Sequence, residues 1–202
     1  MSPHLELRTR FSDRSDSAPW ALLVRRGEAF PPGHPTTRLC LDLLRRALGQ
    51  EAAPSLVDVG CGAGVLSLAA AALGIPRVVG VDIAPAAARA TWENARENGL
   101  AGSFLVVRGS TECLKGPFAL VAANLPWEVQ MEKTAELARL AAAQGRLILS
   151  GFRDNQEKPL LEGYRRLGWS LRGRLVQDFR HPELPADLSF TWVAWLMAPE
   201  AS

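Results

Sequence analysis

The sequence predicts an α/β domain built on a doubly wound, mostly parallel sheet. Strand-like apolar runs alternate with helix-length amphipathic segments along most of the chain. The first strong run, Leu56-Val57-Asp58-Val59, passes directly into Gly60-Cys61-Gly62-Ala63-Gly64 and then into the Ala/Leu-rich stretch Val65–Leu73. That is a strand with both faces covered, a glycine turn and a helix packed on a sheet. At 202 residues and 48% hydrophobic, the chain is long enough to bury one sizeable core.

Taken in order, residues 1 to about 20 are polar and irregular and read as an arm or short edge element. Trp20–Val24 suits a strand. The stretch from Gly27 through Phe30, Pro31, Pro32, Gly33 and His34 is a loop. It gives way to a helix with Leu39, Leu43, Leu44 and Leu48 on one side and Thr36 or Thr37 as N-cap. The expected domain division is an arm over 1–26 and one domain over 27–202. After the glycine turn, Arg77–Asp82 reads as the next strand and Pro85 as the start of a helix. Phe104–Arg108 and Phe118–Asn124 are the third and fourth strands. A helix over Met131–Ala143, a strand over Gly145–Ser150 and a helix over Gln156–Leu167 complete the alternation. Two β-type runs, Trp169–Asp178 and Ser189–Met197, follow, joined by a connection that carries Phe179, Arg180 and His181; it reads as an ordinary surface loop, with the border of an acceptor pocket as the alternative.

Composition excludes several classes of function. A net charge of +2 is too small to drive nucleic-acid binding by itself, although Arg-rich segments leave room for a local basic patch. No apolar run reaches transmembrane length and the N-terminus lacks a signal-peptide layout, so no membrane association and a cytoplasmic location are expected. Cys40, Cys61 and Cys113 are far apart with no C-x-x-C, and the three histidines have no ligand spacing, so no metal is expected.

Glycine at positions 60, 62 and 64 allows positive φ and a close ligand approach at the helix N-terminus, where N–H groups are unpaired. A dinucleotide fingerprint would read G-x-G-x-x-G; here the third glycine comes one place early. Asp82, 24 positions after Asp58, ends the next strand at a spacing suited to gripping a ribose diol, and helix capping is its alternative role. The pattern D-x-G-x-G-x-G resembles motif I of the class I S-adenosylmethionine-dependent methyltransferases. The resemblance implies a Rossmann-like, seven-stranded, mostly parallel sheet ending in an antiparallel hairpin, with S-adenosylmethionine as cofactor. It assigns Asp58 to the amino end of that ligand and the backbone of Gly60, Cys61, Gly62 and Gly64 to close approach, and it counts Asp82 and Ile83 among the cofactor-binding residues. Ser110 or Glu112 would stand near the adenine, where related enzymes commonly place an Asp, or the backbone alone would serve there.

A narrower likeness lies in Ala29-Phe30 followed by a Gly-containing turn and His34-Pro35-Thr36-Thr37-Arg38-Leu39. This resembles the A-F-G-T-G-T-H-P-T-T pattern of the PrmA family of ribosomal-protein methyltransferases. The likeness continues through Asp58–Gly64, Val79–Ile83, Ala90–Ala95, Asn98-Gly99 and Gly145–Gly151, and covers roughly residues 27 to 170. It implies that Phe30, His34, Thr36 and Thr37 contact the cofactor from a closing segment; simple helix capping is the alternative for the last three. Pro31-Pro32-Gly33 replaces G-T-G-T and is stiffer. Only about 26 residues precede the matching region, so the family's N-terminal substrate-presenting domain is expected to be absent.

The expected acceptor site is Asn124-Leu125-Pro126-Trp127, at the end of the fourth strand. It stands between the PrmA pattern and the N-P-P-aromatic motif of enzymes that methylate planar amino groups. By that resemblance Asn124 and the next carbonyl accept hydrogen bonds from the target nitrogen and Pro126 stiffens the turn. Trp127 offers a π face to a base or a lysine ammonium, or else is a core residue. Glu128 is the best-placed candidate for a general base. The expected function is methyl transfer to a protein amino group, possible partners being a ribosomal protein or RNA. An RNA, DNA or glutamine-amide N-methyltransferase and a non-catalytic S-adenosylmethionine-binding module are the alternatives.

Overall fold

The computed structural model describes residues 5–8, 20–25, 31–50, 52–179 and 190–200. Two short strands, β1 (Leu5–Arg8) and β2 (Trp20–Leu23), pair in parallel ahead of the main sheet. Leu22 in β2 and Val24 just beyond it are buried in the core, so residues 22–25 are bonded into the domain. Two side-chain amides hold them there. Asn98 accepts from Leu23 N (2.9 Å) and donates to Leu23 O (2.8 Å), and Asn94 does the same for Arg25 (2.9 and 3.0 Å). Phe30, Arg180 and His181 lie outside the described residues.

The remaining elements follow as α1 (Pro35–Gln50), β3 (Leu56–Val59), α2 (Val65–Ala72), β4 (Val78–Asp82), α3 (Pro85–Glu97), β5 (Phe104–Arg108) and β6 (Phe118–Asn124). After them come α4 (Trp127–Leu140), β7 (Ala141–Arg153), α5 (Glu157–Arg166), β8 (Trp169–Phe179) and β9 (Phe190–Pro199). Strands β3 to β9 form one seven-stranded sheet in the order β5-β4-β3-β6-β7-β9-β8. Strands β3 to β7 pair in parallel, and β9 lies antiparallel between β7 and β8. The doubly wound sheet with a terminal antiparallel hairpin is therefore the architecture present. From β3 the chain winds outward to β4 and β5, then returns to β6 and winds the other way. The strand order reverses between β3 and β6, and their carboxyl ends open the crevice in which such sheets bind ligands.

Period-two alternation explains what faces that crevice. Leu56, Val78, Leu120, Ala122 and Ile148 belong to one core cluster with α1 and α2; Val57, Val79, Val121, Ala123 and Leu149 belong to the other, with α4 and α5. Continuing the alternation puts Asp58, Asp82, Asn124 and Ser150 on the α1/α2 face, the first three at or near carboxyl ends. Among the described residues no helix is long and apolar enough to cross a membrane.

Three element boundaries differ from expectation. Helix α1 begins at Pro35, ahead of the expected Thr caps, and His34 caps it: Thr36 N donates to His34 Nδ1 (3.3 Å) and Thr37 N to His34 O (3.0 Å). Helix α4 begins at Trp127, four residues before Met131, because Pro126 O already accepts from Gln130 N (2.9 Å). Strand β7 extends to Ala141–Arg153, with a register shift between the Phe118 and Leu120 pairings of β6.

Candidate active site

A cavity of about 850 Å³ opens over the carboxyl ends of β3, β4 and β6, within the range of small-molecule sites. It is continuous in its lining with a pocket of about 60 Å³ behind the glycine turn, because Gly60, Gly62 and Asn124 border both. Gly60, Gly62 and Gly64 all adopt positive φ, at 72°, 58° and 81°. Gly60 and Gly62 present backbone to the space, whereas Gly64 is needed for packing: a Cβ there would meet Thr91 Cγ2 at 2.9 Å.

The smaller pocket is lined by Asp58, Thr37, Pro31, Pro32, Cys61 and Ala63 among others. Asp58 is 2% exposed, and its Oδ2 accepts from Ser67 N (3.1 Å) and Ser67 Oγ (2.6 Å). Burial pushes its carboxyl up from 3.8 to about 6, with the Asp82 charge adding to the rise and the Ser67 bonds opposing it. A cation delivered here would find a carboxylate short of positive partners. Cys61 packs its sulfur over Gly80 and contacts Thr91 Oγ1 (3.3 Å); burial raises its thiol, so it is a small packing residue and no nucleophile.

In the larger cavity Asp82 accepts from Gly62 N through Oδ2 and from Ala84 N through Oδ1, both at 2.9 Å. It thereby ties the glycine turn to the start of α3, whose N-cap is Ala84. Each oxygen keeps a lone pair for a further donor, the arrangement a vicinal diol requires. Ile83 beside it is 73% exposed and lines the same cavity. Gly109, Ser110 and Thr111 form the opposite wall. That wall is stitched to α4: Thr111 Oγ1 donates to Glu136, Glu112 pairs with Lys133, and Arg139 donates to Thr111 O and Leu114 O (both 3.1 Å). The hydrogen bond from Lys133 holds Glu112 down at about 2. Ser110 therefore remains on the cavity wall, while Glu112 is engaged outside it.

Asn124 stands where the two spaces meet. Its Nδ2 donates to Thr37 Oγ1 (3.4 Å), which leaves Oδ1 as the acceptor of that amide. Leu125 and Pro126 line the larger cavity. Trp127 does not: its indole packs in the α4/α5 core cluster and donates to Gln156 O (3.1 Å). Glu128 is exposed and lines neither space. The aromatic face at the cavity is supplied instead by Trp192 of β9, edge-on to His34 at 5.0 Å. Behind it Phe190 meets Trp192 at 5.1 Å and stacks on Phe179 at 5.0 Å, with the Arg153 guanidinium 3.9 Å above the Phe190 ring. His34 and Thr36 line the larger cavity, Thr37 the smaller. The imidazole pKa of His34 is lowered by burial, and its Nδ1 lies 2.8 Å from Thr36 Oγ1 and 3.3 Å from Thr36 N, so the ring is fixed at the start of α1.

Trp192, Val129, Glu132, Lys133 and Gly151 are lining residues that the sequence reading did not single out. Val129, Glu132 and Lys133 share one face of α4 at helical spacing, a signal visible once α4 is known to start at Trp127. Trp192 carries no local signal. Among the described residues no group of three His, Cys, Asp or Glu side chains is arranged to hold a metal ion.

The residues present fit S-adenosylmethionine. Asp58 would take the ammonium of its methionine end, the glycine turn its carboxylate and sulfonium region, Asp82 the ribose hydroxyls, and Ile83 with Ser110 the adenine. Comparison with known proteins agrees. The profile of the ribosomal protein L11 methyltransferase (PrmA) family matches residues 13–178. A ribosomal protein L11 methyltransferase of Citrifermentans bemidjiense is 40% identical over 158 residues, covering 71% of this chain and 52% of that protein. The chain spans about half the length of the curated relatives it matches. Among solved structures, a ribosomal protein L11 methylase from Lactobacillus delbrueckii subsp. bulgaricus superposes with a TM-score of 0.81 at 23% identity, over 98% of this chain and 96% of that one. TYW2 of M. jannaschii, in complex with AdoMet, superposes with a TM-score of 0.56 at 13% identity, over 72% of this chain and 68% of that one, and so shares the fold. The matched profile, spanning the glycine turn, both aspartates and Asn124, shows that the chain belongs to the ribosomal protein L11 methyltransferase (PrmA) family.

Proposed function

We propose that this protein is an S-adenosylmethionine-dependent N-methyltransferase acting on an amino group of a protein, a lysine or N-terminal amine of a ribosomal protein. The observation that carries the reading is the position of Asn124, which borders both the methionine-end pocket and the larger cavity. Its Oδ1 is turned away from the bond to Thr37 and is available to accept from an N–H brought to the junction.

The cofactor, when bound, supplies an electrophilic methyl on a sulfonium. The chain's part is to align and to desolvate. Asn124 Oδ1 orients the acceptor nitrogen with its lone pair toward the junction. Pro126, Val129 and Trp192 exclude water around it, and an apolar wall disfavours the charged form of an amine, so the neutral nucleophile is the one presented. Trp192 offers a face to the alkylammonium on approach. Glu128, exposed and outside the cavity, has no path to the acceptor nitrogen, and the proton passes to solvent after transfer. The placement of Trp127 supports an aliphatic amine over a planar base, since the residue that would stack on a base is half-buried against the α4/α5 cluster, bonded to Gln156 O and outside both cavities. In this reading the enzyme works in the cytoplasm.

The test combines binding and transfer. Calorimetric titration with S-adenosylmethionine should show one site that Asp82→Ala weakens severely, and tritiated cofactor should label ribosomal protein L11 with the parent and not with Asn124→Ala. Label appearing in the RNA fraction of a ribosomal preparation, with none in protein, would overturn the acceptor assignment. Cofactor binding by the parent with no label in protein or RNA would favour a non-catalytic S-adenosylmethionine-binding module.

A further inference from the structure

We infer that Gln130 is a positioning residue that sets the acceptor-binding edge formed by Asn124 and Leu125, an inference that rests on the proposed nitrogen acceptor. Gln130 is wholly buried in the first turn of α4, under the end of the sheet. Its side-chain amide nitrogen donates to two carbonyls, Ala123 O at 2.8 Å and Ser150 O at 2.9 Å. These belong to different strands, and they flank the in-register pair Asn124–Ser150 where β6 and β7 approach their carboxyl ends. Ser150 O also accepts from Leu125 N (3.1 Å). One side chain thus fastens the residue before Asn124 and the carbonyl that holds the residue after it.

The other wall of this edge is Gly151, φ 99°, where a Cβ would fall 2.0 Å from Leu125 O. The Leu125 carbonyl is pressed on that glycine from one side and tethered through its own N–H to Ser150 O on the other. Asn124, between two anchored carbonyls, has its side chain steered by Thr37. Displacement of either strand end would move Asn124 Oδ1 relative to the junction of the two cavities.

Stability alone does not explain a glutamine here. Its Oε1 is buried without a hydrogen-bond partner, and leaving an acceptor unsatisfied costs roughly what the two donated bonds contribute. The amide cannot turn over to correct this, because its oxygen would then face two carbonyl oxygens. An apolar side chain of the same shape would satisfy a wholly buried position as well, on the inner side of a helix whose Leu137 and Leu140 join the core. What only an amide nitrogen supplies is a simultaneous hold on both strand ends.

The test is Gln130→Met in the full chain. We expect a melting temperature within a few degrees of the parent and an affinity for S-adenosylmethionine within about twofold. The kcat for tritium transfer to ribosomal protein L11 should fall by about tenfold or more with little change in KM for that protein, since misplacement by an ångström costs up to about a hundredfold. Amide hydrogen exchange at Leu125 should speed up in the same variant. Retained kcat, a parallel loss of cofactor affinity and kcat, or a variant that fails to fold would each overturn the proposal, the last two because they mark a merely structural glutamine. If the parent labels RNA and not L11, the acceptor reading fails, and kcat on that RNA decides: a fall of about tenfold in Gln130→Met upholds the positioning of Asn124 and an unchanged kcat overturns it, while a parent that labels neither overturns both.

Discussion

The Leu125 side chain occupies the space that a Cβ on Gly60 would need: an added Cβ would lie 2.3 Å from Leu125 Cδ2. The cofactor turn and the acceptor motif therefore touch directly, strand β3 against the end of β6. Gly60→Ala meets both this clash and a φ of 72°, and is expected to cost about 1–3 kcal/mol of stability, as side chains held in that region generally do. In Gly60→Ala/Leu125→Ala the clash is gone while the backbone strain stays. A double-mutant cycle by urea denaturation should return a coupling of about 1 kcal/mol or more, in the range found for residues in contact. A coupling near zero would show that Leu125 swings aside freely.

Cofactor binding is expected to depend on pH through Asp58. Its folded-state pKa is raised from 3.8 to about 6, so between those values the folded chain holds a proton that the unfolded chain has released. The charged carboxylate costs the free protein stability above pH 6, on the order of 3 kcal/mol, since each tenfold change in proton affinity is worth about 1.4 kcal/mol. That cost disappears as the pH falls toward 4. Asp58→Asn should accordingly be more stable than the parent at pH 8 and bind S-adenosylmethionine poorly. Near pH 5.5 the parent should release a proton on binding the cofactor, read as a calorimetric enthalpy that changes with the ionisation heat of the buffer. A buffer-independent enthalpy would show that Asp58 is already ionised.

Asp82 contributes in two ways that substitution separates. Asp82→Asn keeps one oxygen for Gly62 N or Ala84 N and loses the second acceptor. A cofactor affinity lower by about 10- to 100-fold is expected, from the loss of one or two hydrogen bonds to a charged group. Asp82→Ala should lose binding beyond that and also loosen the glycine turn, seen as faster amide exchange at Gly62. Parent-like affinity in both variants would show that the ribose contact does not run through the carboxylate.

The two tryptophans should behave oppositely. Trp192→Ala removes a wall of the acceptor side and is expected to raise KM for the protein acceptor about tenfold, the loss of roughly 1.4 kcal/mol of contact, with cofactor affinity unchanged. Trp127→Phe gives up the bond to Gln156 and is expected to lower stability by about 1 kcal/mol while leaving both constants alone. Steady-state kinetics on the pair, beside thermal melts, decides between them. Glu128→Gln, altering a side chain outside both cavities, should keep full activity across pH.

Much of the site was legible because its main residues belong to local patterns. Asp58, Gly60, Gly62, Asp82 and Asn124 each end or follow a strand whose apolar alternation is plain in the sequence, and all five line the two cavities. Gly64 and Trp127 show the limit of that reading. Both lie within the right motifs, yet Gly64 serves packing against Thr91 and Trp127 the core around α4 and α5. A spacing records that a residue is near the site, and only the neighbours across the fold decide which way it faces.

The sequence by itself determined most of the strand, turn and helix units, the glycines able to take positive φ, and the placing of Asp82 and Asn124 at strand ends. These follow from a two-residue strand period, a helix period of about 3.6 residues and backbone preferences that act over a few positions. The tertiary structure alone decided that Trp192 supplies the aromatic wall, that Lys133 and Glu136 brace the Ser110 side, and that Gln130 and Gly151 frame Leu125. Those pairings join β6 to β7, β9 and α4, and strand order across a sheet is set by which apolar faces pack together over long separations in the chain, a choice that no local pattern contains.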